Sequence, residues 1–212
     1  MQLTPPPQIP QSGATHDQRS AEILASVRQT FVEKGFDGAS MQDLARAAGM
    51  SVGNFYRYFP SKVAIIQAMI LRDAVEVRQD FARILASPDP MQSLRQVIAE
   101  HVESTDCQKD STLWAEIEAA SRRSPEIAEA ANRIAEEVKS HLRAVFAHGR
   151  GMTREEALRH FSGPAAFVFT MIKAASCLSG VTPLDQTEVR AMILRTIEQT
   201  LEQISDLPTA KI

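Results

Sequence analysis

The chain has only two cysteines in 212 residues, Cys107 and Cys177, and no further cysteine or histidine stands near either at a metal-ligand or redox spacing. That excludes a disulfide scaffold, a zinc finger and a Cys-x-x-Cys redox centre, and leaves two thiols expected to be reduced and buried. Aromatic residues make up 6% and glycine only nine positions, and no segment alternates valine, isoleucine or threonine with polar residues. A β-sheet is therefore not expected, and the chain reads as all-α. The most apolar run, Ala165 to Leu178, is broken by Lys173 and is too short to span a bilayer. The start of the sequence has no basic stretch followed by an apolar one, so no signal peptide is expected and the protein is expected to be cytoplasmic. There is no nucleophile elbow, phosphate loop or paired-carboxylate signature, and the five histidines (His16, His101, His141, His148, His160) are scattered. Neither an enzyme nor a cofactor or metal site is expected.

An excess of positive charge is missing too. The formal net charge is -3, which argues against nucleic-acid binding if taken over the whole chain. By region the balance differs: residues 16 to 62 carry six basic and five acidic groups, about +1, which leaves about -4 for the remainder. Any contact with DNA has to come from local placement of charge.

What the sequence does contain is helix punctuation. Residues 1–14, with Pro5, Pro6, Pro7, Pro10 and Gly13, read as a disordered tail. Thr15 with Gln18 reads as a capping box opening a helix that buries Ile23, Leu24, Val27 and Phe31 and stops at Gly35. Ser40 with Asp43 opens a second short helix that ends at Gly49. Ser51 opens a third, with Phe55 and Phe59 inward, and Pro60 closes it. Ser61 starts a long fourth helix that runs to about Ala86. Beyond Ser87-Pro-Asp-Pro90, helices are expected from Met91 to about Cys107, from about Leu113 to Ser121, and from a capping Ser124 to Gly149. A short helix is expected from Thr153 to His160, with a kink or restart at Ser162-Gly163-Pro164. It is followed by a segment from Ala165 to Leu178 that should be buried on several sides, and a last helix from about Leu184 to Ser205. The division is a tail (1–14), an N-terminal three-helix domain (15–62) and a C-terminal helical bundle (63–212).

The stretch Ser40-Met-Gln-Asp-Leu-Ala-Arg-Ala-Ala-Gly-Met-Ser-Val-Gly-Asn-Phe-Tyr-Arg-Tyr-Phe-Pro-Ser-Lys62 closely resembles the helix-turn-helix of the TetR (tetracycline-repressor-like) regulators. The resemblance includes the capping residue, the Ala-Gly turn, the second capping serine, the aromatic helix and the Ser-Lys opening of the fourth helix. With its flanks it covers roughly residues 15 to 70. The residue chemistry agrees with it. Three helix starts, at Ser40, Ser51 and Ser61, present N–H groups and hydroxyls suited to phosphate. Lys62 adds a charge, and Tyr56 and Tyr58 can each donate a phenolic hydrogen bond to a phosphate. Val52 and Asn54, with Gly53 allowing close approach of the backbone, are placed to read base edges, and Tyr56 lies nearby. Arg57 reaches a guanine or, by preference, a phosphate. Gln42 and Arg46 lie where they would meet flanking backbone.

The resemblance implies a homodimer on a near-palindromic double-stranded DNA operator, acting as a repressor until a small molecule binds, with no role for a membrane. It also implies a C-terminal ligand pocket and a dimer interface built by the last two helices. Pocket candidates are Trp114, Phe167, Met171, Cys177 and His141, with His101 and Glu116 as further polar partners; apolar helical walls suit a hydrophobic or amphipathic effector. Activation instead of repression would use the same residues, and a helical interaction module that has lost DNA binding is the other alternative.

Overall fold

In a computed structural model the backbone is described for residues 12–178 and 181–207, and side chains over the same residues except 12–16, 105–111 and 183–184. Among the described residues there are nine α-helices and no strand: α1 (Ser12–Gly38), α2 (Met41–Ala47), α3 (Val52–Tyr58), α4 (Lys62–Ala86), α5 (Pro90–Glu103), α6 (Thr105–Ser121), α7 (Pro125–Ala147), α8 (Arg154–Ser176) and α9 (Pro183–Ser205). The chain divides into two compact units, Met1–Ile65 and Ile66–Ile212. Helix α4 begins in the first and continues through the second.

The first unit is small and closed around aromatic and aliphatic side chains. Ile23, Val27 and Phe31 of α1, Leu44 and Ala45 of α2, Phe55 of α3 and Ile65 at the start of α4 are all buried. Gly35 breaks α1 with φ 70° and ψ 167°, and one further turn carries it to Gly38. The helix opens at Ser12, so Thr15 lies inside its first turns and is not its cap; the rest of the expected tail, residues 1–11, lies outside the described residues.

In the second unit α7 and α8 pack together, with α6 against α7 and α9 against α8 and α5. The core runs through Phe81 and Ile84 of α4, Leu94, Ile98 and Val102 of α5, Leu142, Val145 and Phe146 of α7, Phe161, Ala165 and Val168 of α8, and Ile197, Leu201 and Ile204 of α9. Several expectations are corrected here. Helix α5 stops at Glu103 rather than Cys107, and α6 starts at Thr105 instead of Leu113.

Ser124 occupies the N-cap of α7 but makes no side-chain cap bond. Its hydroxyl donates to Glu126 Oε2 at 2.9 Å. That carboxylate also bonds its own backbone N–H, and the two contacts hold its pKa below the usual range. The expected restart at residues 162–164 does not occur, since α8 is continuous through Pro164. Proline costs the helix one hydrogen bond, but Ala157, Phe161, Ala165 and Val168 lie buried on both sides of it, at the helical steps of one face. Burial of that face holds the helix together across the proline. Finally, within the segment after Pro164 Phe167 is 38% exposed, and Cys177, at the end of α8, is exposed, not a core thiol.

One buried cation closes this unit. Arg150 is only 9% exposed, in a loop where Gly149 (φ 70°) and Gly151 (φ 66°) adopt the left-handed conformation on either side of it. Its guanidinium donates to Phe146 O at 2.8 Å, Leu207 O at 2.6 Å, Ile204 O at 2.5 Å and Ser205 O at 3.3 Å. It thereby caps the carbonyl ends of α7 and α9 together.

Candidate DNA interface

The turn between α2 and α3 is fully accounted for by local hydrogen bonds. Gly49, at φ 65°, donates to Arg46 O at 3.0 Å, and Met50 N donates to Ala45 O at 2.9 Å. This is the paired arrangement that ends a helix on a left-handed glycine. Ser40 and Asp43 form a reciprocal capping box at the start of α2. Ser51 Oγ accepts from Asn54 N at 3.3 Å, and Ser61 Oγ accepts from Ala64 N at 3.1 Å. With both ends of the turn fixed, Phe55 (0% exposed) and Phe59 (5%) anchor α3 from below.

That anchoring decides what α3 presents. Gly53, Asn54, Tyr56 and Arg57 are exposed, and Val52 and Tyr58 are half-buried. Tyr56 is 45% exposed, although it is an aromatic residue in a helix whose other two rings on the core side are buried. A Cβ placed on Gly53 would meet no atom within 4 Å, so the glycine answers no packing need inside the free chain. Ser40, Ser51 and Gln42 are exposed as well.

The three helix starts are not equivalent. The Asp43 carboxylate occupies the first, accepting from Ser40 N at 3.0 Å, Ser40 Oγ at 2.6 Å and Lys34 Nζ at 2.7 Å. The Lys34 ammonium and the Ser40 contacts hold the Asp43 carboxyl far below the ordinary carboxylate range. A phosphate at Ser40 would therefore face a fixed negative charge. On α2 and α3 the exposed cations are Arg57 and Arg46, whose side chain is 81% exposed and 4.0 Å from Asp43. Lys62 is engaged within the unit: its ammonium donates to Phe36 O at 2.8 Å and Asp37 O at 3.1 Å. Spacing alone could not show that partner, which lies 26 residues upstream.

The residues named for an effector pocket come from α6, α7 and the length of α8. Trp114 on α6, Met171 on α8 and His141 on α7 are half-buried, while Phe167 and Cys177 are exposed. His141 stacks on Phe81 with ring centroids 4.9 Å apart. None of the five lines either of the two main clefts. One cleft, of about 240 Å³, lies between α5 and α9 and is walled by Ile98, Leu194, Ile197 and Leu201 under Arg95 and Glu198. The other, of about 220 Å³, lies between α4 and α7 over Ile70, Ala74, Ala130 and Ile134. Its rim carries the bidentate Arg78–Glu137 pair. The described residues contain no cluster of three or more His, Cys, Asp or Glu able to hold a metal ion, and no helix long and apolar enough to cross a membrane.

Residues 23–69 match the family model described as "Bacterial regulatory proteins, tetR family". Residues 23–69 thus carry a TetR-family DNA-binding domain. Among TetR-family relatives the chain is similar to the HTH-type transcriptional regulator UidR of Escherichia coli (strain K12), at 45% identity over 51 residues, 24% of this chain and 26% of UidR. It is similar also to the HTH-type transcriptional repressor NemR of the same strain, at 35% identity over 72 residues, 34% of this chain and 36% of NemR. The match thus spans about a quarter to a third of the length of these curated relatives. Over most of the chain the likeness is one of fold. A TetR transcription regulator from Haloarcula marismortui ATCC 43049 superposes with a TM-score of 0.71 at 18% identity, covering 88% of this chain and 97% of that one. Salmonella enterica GusR gives 0.60 at 25%, covering 85% and 96%. TetR-family regulators are not enzymes, in agreement with the class expected from the sequence.

Proposed function

We propose that the protein is a transcriptional regulator that binds a near-palindromic DNA operator as a homodimer, represses transcription there and is released by a small molecule. The observation that carries the DNA-binding half is the outer surface of α3. A capped turn and two buried phenylalanines hold Gly53, Asn54, Tyr56 and Arg57 in solvent on a helix of the width that a major groove admits. Asn54 is assigned to base reading with Val52. Tyr56, Tyr58, Arg57 and Ser51 are assigned to phosphate, and Gln42 to the flanking backbone. Ser40 is given a lesser part because Asp43 faces it.

Dimerisation is assigned to α8 and α9, which leave Phe167 (38%) and Met192 (58%) exposed in the single chain. A two-fold dimer reads two half-sites about 34 Å apart, so a small shift of α4 would be enough to spoil the fit. The effector is proposed to be hydrophobic or amphipathic and to bind in the C-terminal unit. The two clefts, at about 240 and 220 Å³, lie below the roughly 300–1,000 Å³ usual for ligand sites, so either would have to widen to take one.

Fluorescence anisotropy against DNA flanking the protein's own gene tests the reading. Selective binding is expected, with Arg57→Ala weakening binding to every sequence and Asn54→Ala changing which base is preferred. Binding that shows no preference between that DNA and a scrambled duplex would refute it.

A further inference from the structure

We propose that Lys62 serves DNA binding as a positioning residue, closing the helix-turn-helix by clamping the end of α1 to the start of α4, and not as a phosphate contact. The proposal rests on the DNA-binding reading above. Its geometry lies entirely within the first unit. The Lys62 ammonium donates to Phe36 O at 2.8 Å and to Asp37 O at 3.1 Å. These carbonyls lie in the turn after Gly35, where φ reaches 70° and α1 bends away from its axis. Carbonyls at a helix end carry partial negative charge and lack intrahelical partners, so a lysine there satisfies both needs.

The ring of Phe36 adds a second hold, with Nζ 5.0 Å from its centroid. Phe36 in turn stacks on Phe31 at 6.0 Å and 24°, and Phe31 is wholly buried. The clamp is therefore tied to the core through two aromatic rings.

What the clamp encloses gives it a function. The chain between Asp37 and Lys62 contains all of α2 and α3. Lys62 ties its two ends directly to each other, beside the core in which Phe55 and Ile65 are buried, and so helps to set the pose of α3. Turning the ammonium toward a phosphate would strip Phe36 O and Asp37 O of these bonds and open the loop that carries the reading helix. Tyr56 and Arg57, both exposed on α3, are left to meet the phosphates.

The test uses the full chain and Lys62→Met, which keeps the apolar stem, with Arg57→Ala as the phosphate-contact control. Hydrogen exchange is measured on the free proteins, and the dependence of operator affinity on salt is measured alongside. In the homodimer a substitution removes a phosphate contact from both half-sites, which lowers the slope of log K against log[salt] by about 1.8. For Lys62→Met, exchange in residues 31–39 and 62–65 is expected to quicken about tenfold. Affinity is expected to fall about three- to tenfold with the slope unchanged, while Arg57→Ala lowers the slope and leaves exchange as in the parent. Unchanged exchange in Lys62→Met overturns the proposal, and so does a slope reduced by about two units. If the parent chain itself binds no operator, the functional reading fails, and the exchange experiment still decides whether the clamp exists. Should Lys62→Met not fold, Phe36→Leu removes the ring and keeps both carbonyls. Faster exchange at residues 62–65 in that variant supports the clamp, and none refutes it.

Discussion

Replacing Arg150 with methionine should destabilise the C-terminal unit alone, and by an amount the geometry sets. The side chain is 9% exposed and its guanidinium makes four hydrogen bonds, all to backbone carbonyls, of which those to Phe146 O and Ile204 O are buried. Hydrogen bonds from a charged donor contribute about 1.5–3 kcal/mol each. Against this, the native state carries the cost of desolvating the cation, several kcal/mol, which the variant no longer bears. Methionine fills much of the vacated volume but leaves the last carbonyls of α7 and α9 to water. The net loss comes to about 2–4 kcal/mol. In a protein of this size each kcal/mol lowers Tm by about 2–4 °C, so a fall of about 5–15 °C follows.

The chain supplies its own reporter, because Trp114 is its single tryptophan and lies in the second unit. Its fluorescence on heating follows that unit, whatever the first does. Arg150→Lys should recover only a part of the loss, since one ammonium cannot span carbonyls at two helix ends. A fall of less than about 2 °C for Arg150→Met would show that the guanidinium's bonds only just offset its burial, and the clasp between α7 and α9 would have to be abandoned.

Three further outcomes follow from the same structure. The folded-state pKa of Asp43 lies below its unfolded value, because of the Lys34 ammonium and the Ser40 contacts. Its contribution to stability is therefore complete above about pH 4 and is lost as the pH falls toward the depressed value. Asp43→Asn should melt earlier than the parent between pH 5 and 7, and the gap should close below about pH 4; a gap independent of pH would rule out the charge as the cause. Gly53→Ala should raise the stability of the N-terminal unit by up to about 1 kcal/mol, since its Cβ meets nothing within 4 Å. It should also weaken operator binding, and unaltered binding would remove the argument that the backbone approaches the groove there. Phe167→Asp with Met192→Asp, both at exposed positions, should shift the protein from dimer to monomer in sedimentation velocity without changing its helicity. A dimer that persists would move the interface off α8 and α9.

The parts of the fold that could be read in the sequence are those whose chemistry is complete within a few residues. Ser40 and Asp43, Gly49 and Ser51 announce the turn because each satisfies a backbone group three or four positions away. The division of α3 into a core side and a solvent side follows from the spacing of Phe55 and Phe59. Where an expectation fails, a partner outside that window has decided the outcome. Ser162-Gly163-Pro164 has every local mark of a break, yet the apolar face from Ala157 to Val168 continues across it, and burial against the neighbouring helices outweighs one missing hydrogen bond. The same face was legible in the sequence and would have signalled a single helix, had it been weighed against the proline.

The two cations that matter most show the limit in another way. Lys62 reads as a surface lysine at a helix start, and Arg150 as a loop arginine between glycines. Neither has a carboxylate nearby in sequence to reveal a partner. Their acceptors are backbone carbonyls, 25 and 26 residues away for Lys62 and 54 to 57 away for three of the four on Arg150. A carbonyl carries no side-chain identity, so no residue pattern advertises it. Only the positive-φ glycines hint that something is being aimed: Gly35 turns the carbonyls of Phe36 and Asp37 toward Lys62, and Gly149 with Gly151 turns Arg150 inward. In this chain a left-handed glycine beside a helix end does more than stop the helix. It stands where the helix's last carbonyls, or a nearby cation, are tied to another helix.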